Sequence, residues 1–190
     1  MQVPLTFRRW RRGEYDRLVD LGLFDGESVE LLGGHLMVAE PQGAYHASAI
    51  TKMDYALRAV IPEGWIVRLQ APISLDQESE PEPDLVVVRG RPGDYQDAHP
   101  IHPALAVEVS ESSLDFDRSR KGSLYARALI QDYWIVNLVD RILEVYREPG
   151  VDDRAEFGWQ YRTTHRLGPS ATIAPLAFET AHIAVADLLP

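Results

Sequence analysis

Apolar and polar positions recur along this chain with two different periods, and the switches between them mark out its elements. Tyr15, Leu18 and Val19 follow helical spacing and predict a short helix over 13–21. Residues 29–32 and 36–38 flank Gly33-Gly34 and read as a β-hairpin, the glycine pair supplying the positive φ of a tight turn. Ile50, Met53, Leu57, Val60 and Ile61 mark an amphipathic helix over 46–61, stopped by Pro62 and Gly64. From 65 to 75 the period is two. Trp65, Val67, Leu69, Ala71, Ile73 and Leu75 share one face and Arg68, Gln70 and Ser74 the other, so one long strand is expected. An acidic lead-in broken by Pro81 and Pro83 precedes the apolar run 85–88, and a Gly/Pro-rich loop then reaches Pro103. Residues 104–110 predict the next strand, 115–130 a helix, and 133–138 with 142–146 a second hairpin around Val139-Asp140-Arg141. Strand-like stretches at 159–164 and 181–185 close the chain. Short strands interleaved with two longer helices predict an α/β (α+β) domain with a mixed sheet.

Composition narrows the class. The chain has 190 residues, 45% hydrophobic and 25% charged, which suits one domain (1–190) with its own core. Cysteine is absent, so disulfides and thiolate metal sites are excluded, and a reducing cytoplasm is the expected compartment. No apolar run approaches a membrane span, and Arg8, Arg9, Arg11 and Arg12 are followed by no signal core, so neither membrane insertion nor secretion is expected. The formal net charge of −10 runs against binding polyanions, unless basic residues cluster on one face or bound cations neutralise the site.

The chemistry concentrates in three places. In 104–110, Leu105, Val107 and Val109 point one way while Ala106, Glu108 and Ser110 point the other, so Glu108 interrupts a small-residue face that a helix can cover. Asp84 follows Pro83 at the start of its own strand. Burying a carboxylate is costly unless it is paired, and a hard divalent cation held by both acids would provide the pairing. The competing reading has Glu108 facing outward from an edge strand and Asp84 as a turn acid. Lys121 has Leu124, Tyr125 and Ala128 at i+3, i+4 and i+7, which places it on the inward stripe of its helix. An inward lysine must snorkel or meet an acid, and beside a cation-binding pair it is equipped to stabilise charge during phosphodiester hydrolysis. Glu30 reads equally as a third acid of the site or as an exposed hairpin residue. His46, opening the long helix, is a candidate phosphate contact or a surface residue, and Gln70 a candidate contact of bound water or a solvated side chain. His99 and His102 are separated by proline from helical presentation, so zinc binding there is not expected. Glu111, Asp115 and Asp117 read as acids of a loop and helix start. The arginines around Trp10 read as a phosphate grip or, more conservatively, a solvated helix entry. No phosphate-binding glycine loop, nucleophile elbow or dinucleotide fingerprint is present.

Taken in order, these pieces resemble the Uma-type putative restriction endonuclease family, a branch of the PD-(D/E)XK nuclease superfamily. The likeness covers Val29-Glu30-Leu31-Leu32-Gly33-Gly34, Pro41-Gln42-Gly43 with His46, Gln70-Ala71-Pro72-Ile73 and Glu82-Pro83-Asp84-Leu85. It continues through Val107-Glu108-Val109-Ser110, Asp117, Lys121, Leu124-Tyr125-Ala126 and Tyr133-Trp134-Ile135-Val136. No single piece is specific; their order and spacing are. The resemblance implies a restriction-endonuclease-like mixed central sheet flanked by helices. It implies Mg²⁺-dependent cleavage of DNA (Mn²⁺ substituting), with Asp84 and Glu108 as metal ligands and Glu30 beside them. His46, Gln70 and Tyr125 fall at positions expected to bind substrate or support the site. Ser110 stands where the superfamily usually has its lysine, and Lys121 from the following helix is expected to take that role. A homodimer would suit cutting both strands of a duplex. The alternative is a catalytically weak nucleic-acid-binding module on the same scaffold.

Overall fold

The computed structural model describes residues 6–39 and 41–190. Its organising element is a six-stranded sheet in the order β3-β4-β5-β6-β7-β8. The strands are β3 (Trp65–Leu69), β4 (Leu85–Arg89), β5 (Leu105–Ser110), β6 (Asp132–Asn137), β7 (Ile142–Val151) and β8 (Trp159–Leu167). Every neighbouring pair is antiparallel except β5 and β6, which run parallel and are joined by a helical crossover, as a parallel pair requires. The expected mixed sheet flanked by helices is the architecture observed.

Strand alternation divides the core in two. Leu85, Val87, Leu105, Val107 and Val109 face the long helix α2 (Ala44–Val60) through Ala49, Ile50, Met53 and Leu57, together with the C-terminal helix α5 (Val185–Leu188). Val86, Val88, Ala106, Tyr133 and Ile135 face the crossover through Tyr125, Ala126 and Ile130. The strands between these layers have apolar residues on both faces, as central strands do.

The hairpin of β1 (Ser28–Leu32) and β2 (His35–Ala39) forms as expected around Gly33-Gly34. It leans against the segment before β4: Leu31 and Glu80 exchange backbone hydrogen bonds of 3.3 and 2.7 Å, and Tyr15 of α1 (Arg12–Asp20) donates its hydroxyl to the Val29 carbonyl at 2.6 Å. Gly33 has φ +58°, and a Cβ there would run into the Phe157 ring. Gly33→Ala is therefore expected to destabilise the protein by about 1–3 kcal/mol, read as a lower urea midpoint. An unchanged midpoint would contradict this close packing.

Three expectations need correction. The strand predicted over 65–75 ends at Leu69, because Gln70 turns into the left-handed region at φ 43°. Ile73 lies beyond that turn and packs with Val86 and Val88, on the opposite layer from Val67. The helix predicted over 115–130 is composite: α3 (Leu114–Phe116), a π turn (Asp117–Lys121), then α4 (Gly122–Arg127). It stops before Leu129, whose φ is 59°. Near the C-terminus, only Ile183–Ala184 of the stretch 181–185 is extended; it is β10 and pairs with β9 (Thr172–Ile173).

Candidate active site

Glu108 reaches the crossover face of the sheet because it shares that face with Ala106 and Ser110, and the small neighbours leave room for the helix above. It is 3% exposed, on a central strand, so the edge-strand reading is excluded. Its Oε1 accepts hydrogen bonds from Lys121 Nζ at 3.0 Å and from the Tyr125 hydroxyl at 2.6 Å. Among the described residues no hydrogen bond reaches its Oε2. Burial pushes the Glu108 carboxyl well above its usual range; Lys121 opposes this, while Asp117, Asp84 and Glu30 reinforce it. Lys121 is itself buried, which alone would favour the neutral amine, but Glu108, Glu30 and Asp117 outweigh that cost and raise its pKa above the usual value. Those acids favour the ammonium, which can donate hydrogen bonds and stabilise negative charge. Glu30 completes the group from the hairpin: its Oε1 lies 3.4 Å from Lys121 Nζ and its Oε2 accepts the Glu82 N–H at 3.0 Å.

Asp84 immediately precedes the neighbouring strand β4 and is buried as well, with Oδ2 accepting the Val109 N–H at 2.8 Å. Its Oδ1 is held by the Gln42 side-chain amide at 3.1 Å, and the Gln42 oxygen accepts Gln70 Nε2 at 3.0 Å. Gln70 thus reaches the site at one remove, from a left-handed backbone outside the strand. That conformation costs about 1–3 kcal/mol in a non-glycine residue and is pinned by its own N–H on the Asp84 carbonyl, 3.0 Å away. His46 is buried at the start of α2, not at the surface. Its Nε2 donates to the Val109 carbonyl at 2.7 Å and lies 3.3 Å from Asp84 Oδ2. Its Nδ1 has no partner among the described residues. Burial lowers the proton affinity of His46, but Asp84 and the Val109 carbonyl more than restore it, and the pKa ends above its usual value.

These residues line a cleft of about 1180 Å³ between the β1–β2 hairpin, the start of α2 and the approach to α3. Seven carboxylates from Glu27 to Asp117 line it, against one ammonium, Lys121. The structure brings Asp84, Glu108, Lys121, Glu30 and His46 together there, with Tyr125 buried behind Glu108 and Gln70 at the rim. Other candidates lie elsewhere. His99 faces Glu80 at 3.9 Å and His102 is exposed. Arg8, Arg9 and Arg12 are occupied by Glu14, Glu78 and Glu80, which leaves little for a phosphate grip.

Asp117 is the residue that sequence reasoning misplaced. It is not a solvated helix-start acid: it is 3% exposed, lines the cleft and accepts the Ser113 hydroxyl at 2.6 Å. The available signal was its position four residues before Lys121, on the same inward stripe. The π turn that presents both residues is fixed from three sides. Tyr133 donates its hydroxyl to the Asp117 carbonyl at 3.0 Å. Gly122 lets that carbonyl come close, since a Cβ there would meet it at 3.3 Å. Arg118, inside the turn, grips buried Glu144 of β7 through Nε at 3.0 Å and through a terminal nitrogen. Such wide turns recur at functional sites.

Whether a cation fits is decided by the donors. Asp84, the unengaged Glu108 Oε2 and the adjacent Val109 carbonyl, which His46 also engages, all offer hard oxygen atoms. Among the described residues no three His, Asp or Glu side chains gather tightly enough to hold an ion alone. Two carboxylates with the shell completed by water and phosphate suit Mg²⁺, which seldom takes an all-protein cage.

Comparison with known proteins bears on the fold and the family. The crystal structure of a putative nuclease belonging to DUF820 from Anabaena variabilis is similar over 85% of this chain and 89% of that one, with a TM-score of 0.60 at 17% identity. A likeness at that identity is one of fold. No curated protein matches the chain. No helix among the described residues is long and apolar enough to cross a membrane. The Uma2 family, described as a putative restriction endonuclease, matches residues 12–186, nearly the whole sequence, and the chain belongs to that family.

Proposed function

We propose that the protein hydrolyses DNA phosphodiester bonds with the help of a divalent cation, Mg²⁺ or Mn²⁺. The observation that carries this reading is the buried Lys121 ammonium, 3.0 Å from Glu108 and 3.4 Å from Glu30, on the floor of an open cleft that also holds Asp84. Asp84 and Glu108 would hold the cation, which would supply Lewis-acid polarisation of the phosphate. The chain's own groups do the rest. Lys121, favoured as the ammonium by its acidic neighbours, stabilises the negative charge that builds on the phosphate oxygens. Tyr125 and Lys121 together hold one oxygen of Glu108, leaving the other directed to its task. The Val109 N–H and Gln42 lock the Asp84 carboxylate, and the hairpin brings Glu30 to the floor beside Lys121. Cleavage of both strands of a duplex would be served by a homodimer.

Asp84→Ala is expected to abolish nicking of supercoiled DNA in Mg²⁺ and to remove the heat of Mg²⁺ titration. Undiminished nicking by that variant would overturn the assignment. A second reading is a binding module with weak turnover on the same scaffold; its weak turnover is favoured by the excess of carboxylates lining the cleft, which holds a phosphate away from the floor unless cations neutralise it. It predicts strand binding without cleavage by the unmodified protein at any Mg²⁺ or Mn²⁺ concentration.

A further inference from the structure

We propose that Asp117 protonates the oxygen that leaves phosphorus, a role that rests on the phosphodiester-hydrolase reading above. Expelling an alkoxide is difficult at neutral pH, so a positioned acid accelerates the step. Asp117 has the attributes of that acid. It lies on the cleft floor one helical turn from Lys121, and its carboxyl is engaged by Ser113 Oγ at 2.6 Å. Ser113 is exposed and also lies 3.3 Å from Ser110 Oγ, so one hydroxyl links the buried acid to solvent. Burial raises the proton affinity of Asp117; Lys121 and the serine hydroxyls oppose this, and Asp84 adds to it.

The other groups at the floor are unsuited. Asp84 and Glu108 are the cation ligands. Lys121 is held as an ammonium by three acids. Tyr125 and Tyr133 bind their protons far more tightly than a free phenol, chiefly through burial. The Nε2 proton of His46 is committed to the Val109 carbonyl, and its Nδ1 is buried with no partner among the described residues to relay a proton to it. Glu30 is engaged by Lys121 and by the Glu82 N–H, and among the other carboxylates lining the cleft Glu82 is the rival, since burial also raises its proton affinity.

The step balances. The water oxygen bonds to phosphorus, and the bond from phosphorus to the leaving oxygen breaks with its electron pair on that oxygen. The leaving oxygen takes the Asp117 proton, and the surplus proton of the attacking water passes to solvent. The Asp117 carboxylate then regains a proton from solvent through Ser113.

The test compares two substrates in Mg²⁺: DNA, and a p-nitrophenyl ester of a nucleoside phosphate, whose leaving group needs no proton. Asp117→Asn is expected to slow DNA cleavage by about 100-fold or more and the activated ester by less than about fivefold, with Mg²⁺ binding by calorimetry unchanged. Ser113→Ala should show a smaller loss with the same leaving-group dependence, and decides the matter if Asp117→Asn does not fold. Equal losses on both substrates, no loss on either, or the pattern appearing in Glu82→Gln instead would each overturn the role. Wild-type protein inactive on both substrates would remove the hydrolase reading and Asp117's role with it. Wild-type activity with equal losses removes Asp117 alone.

Discussion

Lys121→Met is expected to lower single-turnover DNA cleavage by about 10²–10³-fold, the usual loss when one preorganised charge-stabilising donor is removed. Methionine keeps the length and packing of the side chain while deleting the ammonium. The variant should still fold, because Glu108, already inclined by burial to hold a proton, becomes neutral once its cationic partner is gone. The measurement is a cleavage time course beside a thermal melt. A rate within tenfold of wild type, with the fold intact, would show that the buried ammonium is structural and would remove the chief support for the catalytic reading. A collapse of both rate and melt would instead place Lys121 in the folding core.

The second large effect lies two strands away from Glu108, across β6. Glu144 is fully buried and takes hydrogen bonds from Arg118, from the Tyr146 hydroxyl at 2.6 Å and from Asn137 at 2.9 Å. Burial works against its ionisation, but those donors outweigh it and bring its pKa down to about 2. A folded pKa below the unfolded one means stability that is fully present above the ordinary glutamate range and lost as pH falls toward 2. Wild type should exceed Glu144→Gln by about 3 kcal/mol at neutral pH, and about 2 kcal/mol of that gap should be gone by pH 3. Urea unfolding of both proteins across that range reads it. A gap that does not vary with pH would mean that Arg118 does not hold an ionised partner there. Because Arg118 belongs to the π turn, the variant should also lose cleavage rate, through displacement of Lys121.

The elements that position the chemistry were legible where local pattern and tertiary role coincide. Alternation in 104–110 placed Glu108 on the crossover face, and helical spacing turned Lys121 inward; both hold in the structure. The hairpin at Gly33-Gly34 was legible because glycine pairs have few other uses. Alternation failed at 65–75, since a period of two in side chains carries no information about a single left-handed residue such as Gln70. His46 was ambiguous because a helix start is ordinarily solvated; here α2 begins against Val109, a contact far away in sequence. Gln42 was noticed only as part of a resemblance, for its hydrogen bond to Asp84 spans 42 residues and leaves no local trace. Asp117 was read as a helix-start acid because the macrodipole offered a sufficient explanation, which hid the inward stripe it shares with Lys121.

The wide turn between Asp117 and Lys121 has a consequence for comparing homologous chains. It holds one residue more than a regular helical turn, and one residue corresponds to a rotation of about 100°. A related chain lacking the bulge would be one position shorter between β5 and β6. Aligned by its apolar residues, it would present its lysine a quarter-turn out of line, so a one-residue gap in this crossover should mark relatives whose ammonium comes from elsewhere.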